Sequence, residues 1–235
     1  MSTADVLRDL VTANRILAHE GVVDAYGHIS VRHPERPDRF FLSCSRSPEL
    51  VALDDIIEYD LDCNPIDQRG HAQYTERPIH GAIYRKRPDV MSVVHNHANA
   101  IVPFTVVQSA RLKPLLHVAA GIGAEIPVWD IRDRFGDTNL LVTNLAQGQD
   151  LAEKLGSNSV ALMRGHGAAV AGMSIQKAVH ISVYLMVNAQ LQAEAMRMGD
   201  DVVYLSDGEI AEMQKTQAGH ARAWEYWARR AGITG

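Results

Sequence analysis

Residues 90–97, Val-Met-Ser-Val-Val-His-Asn-His, form a run too short for an ordinary helix and too apolar for a surface segment, so they read as a buried strand. Side chains alternate across a strand, which puts His95 and His97 on one face at its end. Two imidazoles on one side are either the start of a metal site or a hydrogen-bonded polar pair. The pair alone does not separate these readings.

A buried strand needs partners, and the rest of the chain offers them. Residues 27–33, 39–43 and 56–61 are short and apolar or β-branched, with Pro, Asp and Asn between them, and read as strands. Residues 126–131, 139–142, 159–163 and 168–171 are four further strand candidates. Helical spacing marks residues 5–18, with Gly21 as a stop. Thr75 opens a helix over 76–87, where Pro78 is tolerable in the first turn. Shorter helices are expected at 99–108 and 118–124, and Asn144 caps one that ends near Gly156. The longest helix runs from Ser174 to about Met198. A capping box at Ser206–Glu209 starts a last helix carrying Trp224, Tyr226 and Trp227. Those aromatics either pack on their own core or reach a neighbour's site. The order is not a pure βαβ alternation, and no Gly-rich dinucleotide loop follows a strand. The expectation is α/β: a mixed sheet covered by helices in one domain, 1–235.

Composition narrows the function. The chain has 235 residues, 46% apolar and 22% charged, with a formal net charge of −5, as in an ordinary soluble globular protein. Its one dense basic run, Arg85-Lys86-Arg87, reads as a solvated helix end, so nucleic acid is not an expected partner. No run is long enough to span a bilayer and no signal peptide is visible, so membranes are not expected either and a cytoplasmic location is. Cys44 and Cys63 read as free thiols in a reducing compartment.

Eleven histidines are many for this length. His166 lies between Gly165 and Gly167, which allow a sharp turn and leave the imidazole uncovered. It is either a third metal ligand or an incidental residue of a tight hairpin. Three histidines would leave a coordination position open, as a catalytic metal requires; a fourth protein ligand would instead close a structural zinc site. Glu76 is open to three readings: a fourth ligand, an acid–base group, or a glutamate stabilised by the helix dipole. His117, after two leucines, reads as a core histidine with substrate contact as the alternative. His80, on the helix after Glu76, can support the site from behind.

Gly27-His28-Ile29-Ser30, Thr75-Glu76 with His80, His95-Asn96-His97 and Arg164-Gly165-His166-Gly167 together resemble the class II aldolase/adducin superfamily, over about residues 5–200. The resemblance implies an α/β/α sandwich around a mixed, largely antiparallel sheet. It implies a homotetramer with active sites between subunits. It also implies one divalent metal per subunit on His95, His97 and His166, with Glu76 in proton transfer. Sugar-phosphate members cradle phosphate with small residues where this chain has His28, Cys44-Ser45-Arg46 and Tyr74, which speaks against a phosphorylated substrate. The same stretches are similar to a branch of the superfamily that decarboxylates aromatic or ring-cleaved hydroxycarboxylic acids.

The expected function is therefore a metal-dependent carbon–carbon lyase, a decarboxylase working through a metal-stabilised enolate on a small carboxylic acid. Glu76 or His28 would deliver the proton, Glu76 with a raised pKa, while His28, Ser43, Ser45 and Arg46 would contact substrate. Arg46 would pair with a second carboxylate, or be a surface arginine in a turn. Manganese or zinc suits the imidazoles, with iron or cobalt possible. The rivals are an aldolase cleaving a 2-oxo-4-hydroxy acid or a sugar phosphate, and a non-catalytic adducin-like interaction module.

Overall fold

A computed structural model describes residues 2–215 and 220–233. Among the described residues, seven strands form one sheet: β1 (His28–Arg32), β2 (Arg39–Ser43), β3 (Ile56–Asp60), β4 (Ser92–Asn96), β5 (Val128–Trp129), β6 (Val160–Met163) and β7 (Gly167–Gly172). Their order is β3-β2-β1-β4-β7-β6-β5. Every pairing is antiparallel except β5 with β6, which is parallel. The histidine-bearing strand β4 is central, and its residues are fully covered.

Helices close both faces, as a sheet buried on two sides requires. On one face lie α1 (Thr3–His19), α6 (Ile175–Met198) and α8 (His220–Arg230), with Leu10, Leu17, Val94, Val179 and Trp227 in a shared core. On the other, α2 (Pro78–Lys86) packs on α5 (Leu145–Leu155) over Leu42, Ile79, Ile83, Val93 and Leu151. Two short helices, α3 (Val102–Val106) and α4 (Arg132–Phe135), lie in the connections, and α7 (Asp207–Lys215) precedes α8. Ser2 and Asp5 cap α1 reciprocally, and Ser206 with Glu209 does the same for α7. None of the described helices is long and apolar enough to cross a membrane.

The sandwich and the mixed, largely antiparallel sheet are as expected, with differences in detail. Residues 139–142 form no strand. Thr138 Oγ1 and Asn139 Oδ1 accept from the amides of Leu140 and Leu141, and Leu140 takes a left-handed φ of 67°, which breaks an extended run. The last helix expected from Ser206 is seen as α7 and α8, and the residues between them, 216–219, lie outside the described residues. Trp227 is buried in its own core, while Tyr226 is exposed. His117 is exposed instead of buried: it begins the 3-10 turn His117–Ile122, whose inward residues are Ala119, Ala120 and Ile122.

Candidate active site

Four elements meet at one end of β4. His95 is the penultimate residue of that strand, and His97 follows its end. The β6–β7 turn brings in His166, because Gly165 adopts φ 63° and Gly167 packs against β4 so tightly that a Cβ there would sit 2.0 Å from the Asn96 carbonyl oxygen. Only glycine permits that approach. Glu76 enters from the segment before α2, and His28 from β1, paired in register with His95.

The side chains converge. His97 Nε2 lies 2.9 Å from His95 Nε2 and 3.0 Å from His166 Nε2. Glu76 Oε2 is 3.3 Å from His95 Nε2 and 3.5 Å from His166 Nε2. One ligand atom from each of Glu76, His95, His97 and His166 falls within 4.8 Å of the others. The outer ring nitrogens are occupied from behind: His95 Nδ1 by the Ala168 carbonyl at 3.2 Å, and His166 Nδ1 by the Leu140 carbonyl at 3.0 Å. A carbonyl only accepts, so both rings carry their proton on Nδ1 and turn bare Nε2 lone pairs inward. His97 can donate to only one of them. Such a gathering of lone pairs and a carboxylate fits a divalent cation, as imidazoles held from behind by carbonyls do in metal sites. Burial pushes His97 down to about 4, and its histidine neighbours add to this, so its neutral form prevails at neutral pH.

Glu76 is fastened by its other oxygen, since Oε1 accepts from the Val142 amide at 2.9 Å. Burial alone would raise its carboxyl, but the charge that His95 and His166 carry once protonated outweighs burial and holds it far below the usual carboxylate range. The raised Glu76 pKa expected from sequence is thus reversed.

A cavity of about 580 Å³ opens above the cluster, lined in part by Tyr26, His28, Ser45, Arg46, Tyr74, Glu76, Leu141, His97 and His166. His28 and Tyr74 pack ring to ring at 4.4 Å, and the Tyr74 hydroxyl donates to the Arg46 carbonyl. Arg46 Nη1 lies 3.3 Å from Asp55 Oδ1, which orients its half-exposed guanidinium. Ser43, expected as a substrate contact, is fully buried and does not line the cavity; it sits within the β2–β3 ladder opposite Ile56. Three contributors were not anticipated: Leu140, Val142 and Ala168, which act through backbone groups that no side-chain motif announces.

The sequence profile of the class II aldolase and adducin N-terminal domain matches residues 8–193. The chain belongs to that family. Class II aldolases use a divalent metal, and the cluster of Glu76 with the three histidines is a possible site for one in this member. The decarboxylase tropJ of Talaromyces stipitatus is 35% identical, over 95% of this chain and 92% of its own. The 3,4-dihydroxyphthalate decarboxylase of Arthrobacter keyseri is 29% identical, over 87% and 84% of the two chains. An aldolase II superfamily protein of Pseudomonas syringae has the same fold, with a TM-score of 0.82 at 21% identity, covering 100% of this chain and 96% of that one. The family and these relatives support a carbon–carbon lyase.

Proposed function

We propose that the chain decarboxylates a non-phosphorylated aromatic or ring-cleaved hydroxycarboxylic acid, with His95, His97 and His166 as ligands of a divalent metal and Glu76 as the group that moves the proton. The observation that carries this reading is the convergence of three Nε2 atoms and one Glu76 oxygen beneath a cavity whose wall bears Arg46. The similarity to decarboxylases supports it further.

The metal, when bound, supplies Lewis acidity for the electron pair set free as the carbon–carbon bond breaks. The chain supplies the rest. Glu76, ionised at rest, takes the proton of the substrate hydroxyl and returns it to the carbon that loses carbon dioxide. The bond to the carboxylate breaks, its electron pair stays on the carbon framework, and a proton from solvent restores the hydroxyl. Arg46, aimed by Asp55, pairs with a second carboxylate in two-point fashion. Tyr74 and Leu141 give the ring an apolar wall. Imidazole and carboxylate ligands suit manganese or zinc, and also iron or cobalt. The family's tetramer belongs to the same reading, with Tyr26, 70% exposed beside the cavity, as a residue for a neighbouring subunit to cover.

The test is carbon dioxide release by protein reconstituted with manganese and, in parallel, zinc, across a panel of ortho-hydroxy aromatic carboxylic acids. Release that disappears in His97→Ala is expected. No release, with cleavage of a 2-oxo-4-hydroxy acid to pyruvate instead, would make the chain an aldolase.

A further inference from the structure

A file of buried polar groups stands behind His28 and is not used by the chemistry above. His80 and Tyr84 are one turn apart on α2 and share a helix face. Ser30 and His28 are two apart on β1 and share a strand face. Where the faces meet, Tyr84 Oη lies 2.7 Å from Ser30 Oγ, Ser30 Oγ 2.6 Å from His80 Nδ1, and His80 Nε2 2.6 Å from His28 Nδ1. All four side chains are buried, His28 with one edge on the cavity.

From this geometry we infer that the file runs in one direction and fixes His28 as a neutral hydrogen-bond donor, with its proton on Nε2 facing the cavity; His80, Ser30 and Tyr84 are then positioning residues. The inference rests on the reading of that cavity as the substrate site.

The direction follows from counting hydrogens. A phenol carries one hydrogen and, when buried, must place it on an acceptor. Among the described residues, Ser30 Oγ is the side-chain oxygen within reach of the Tyr84 hydroxyl; by distance alone either could donate, and since the phenol hydrogen needs an acceptor, it goes to Ser30 Oγ. Ser30 has one hydrogen of its own and, having accepted from Tyr84, gives it to His80 Nδ1. That nitrogen is therefore bare, and His80 carries its proton on Nε2, where it donates to His28 Nδ1. His28 Nδ1 is bare in turn, which leaves its proton on Nε2. The reverse order would strand the Tyr84 hydrogen without an acceptor. A second proton on either imidazole would put two hydrogens into one gap.

His28 lines the cavity beside the His95 ring, at 5.2 Å between centroids. A fixed N–H there stabilises a substrate oxygen that carries or gains negative charge, with no reorganisation at the moment of reaction. Proton transfer and oxygen binding are thereby divided between Glu76 and His28.

The experiment is long-range ¹H–¹⁵N correlation NMR on zinc-loaded, histidine-labelled protein, which separates protonated from bare ring nitrogens. His28 is expected to show a bare Nδ1 and a protonated Nε2. Tyr84→Phe, which removes the group that sets the direction, should yield a mixture of tautomers and lower kcat about tenfold at unchanged metal content. A wild-type His28 with its proton on Nδ1 would overturn the inference, as would a Tyr84→Phe protein with unchanged tautomer and kcat. If Tyr84→Phe does not fold, the wild-type spectrum decides alone, and Ser30→Ala repeats the test by breaking the file in its middle. The expected spectrum in a protein that decarboxylates nothing in the panel would uphold the file and sink the proposed reaction instead.

Discussion

Glu76 has its two oxygens assigned to different partners, the Val142 amide and the histidine cluster. Glu76→Gln keeps an oxygen for that amide but cannot take a proton. It should retain metal by elemental analysis while carbon dioxide release falls by roughly a factor of 10² to 10⁴; near-normal release would remove Glu76 from the proton path. Arg46→Ala should raise KM about tenfold for a dicarboxylic substrate and leave a monocarboxylic one almost unaffected. Equal effects on both would return Arg46 to the surface. That His95 and His97 share one face was legible from strand alternation, while the gathering of His166 and Glu76 beside them was implied by the family resemblance alone. Ser43 was misread, since nothing in a Ser-Cys-Ser-Arg stretch says which hydroxyl the β2–β3 ladder will bury. The reversed Glu76 pKa was equally hidden, because it depends on which neighbours arrive in space.

The strands and long helices announce themselves through periodicity and caps, and the connections do not. Residues 139–142 have the composition of a strand, yet Thr138 and Asn139 turn the backbone locally and the free groups go to site residues. Propensity cannot show where a hydrogen bond will be spent. The expected 126–131 strand shrinks to Val128–Trp129, since only that stretch finds a ladder partner, on β6. The tight contact between β7 and β4 gives a sharp test. Gly167→Ala forces a methyl onto the Asn96 carbonyl and should cost about 2–3 kcal/mol, read as a lower urea midpoint, with weakened metal binding as His166 shifts. An unchanged midpoint would mean that the β4–β7 packing yields easily.

Helices on both faces of the sheet were implied by the family resemblance, but the fastening of the apparently structureless 111–116 stretch was not. Asn188 and Gln192, buried on α6, exchange hydrogen bonds with the backbone of Arg111, Lys113 and Leu115. On the same helix, burial pushes His180 down to about 4, with His220 and Lys177 adding to this. The unfolded chain, near 6.5, then binds that proton more readily than the folded one. The His180 contribution to stability is present above about 6.5 and is lost as pH falls towards about 4. Urea midpoints should drop across that window, and His180→Asn should flatten the drop; an equal slope would place the titration elsewhere. A further consequence comes from the loop around Leu140. Its carbonyl and the Val142 amide are grasped by His166 and Glu76, two of the groups proposed to hold the metal. Linkage makes this reciprocal: a cation that orders its ligands quiets the loop, and a quiet loop tightens the cation's hold. Chelation should therefore speed amide exchange at Val142 before it melts the sheet, so that one backbone hydrogen reports the occupancy of the whole centre.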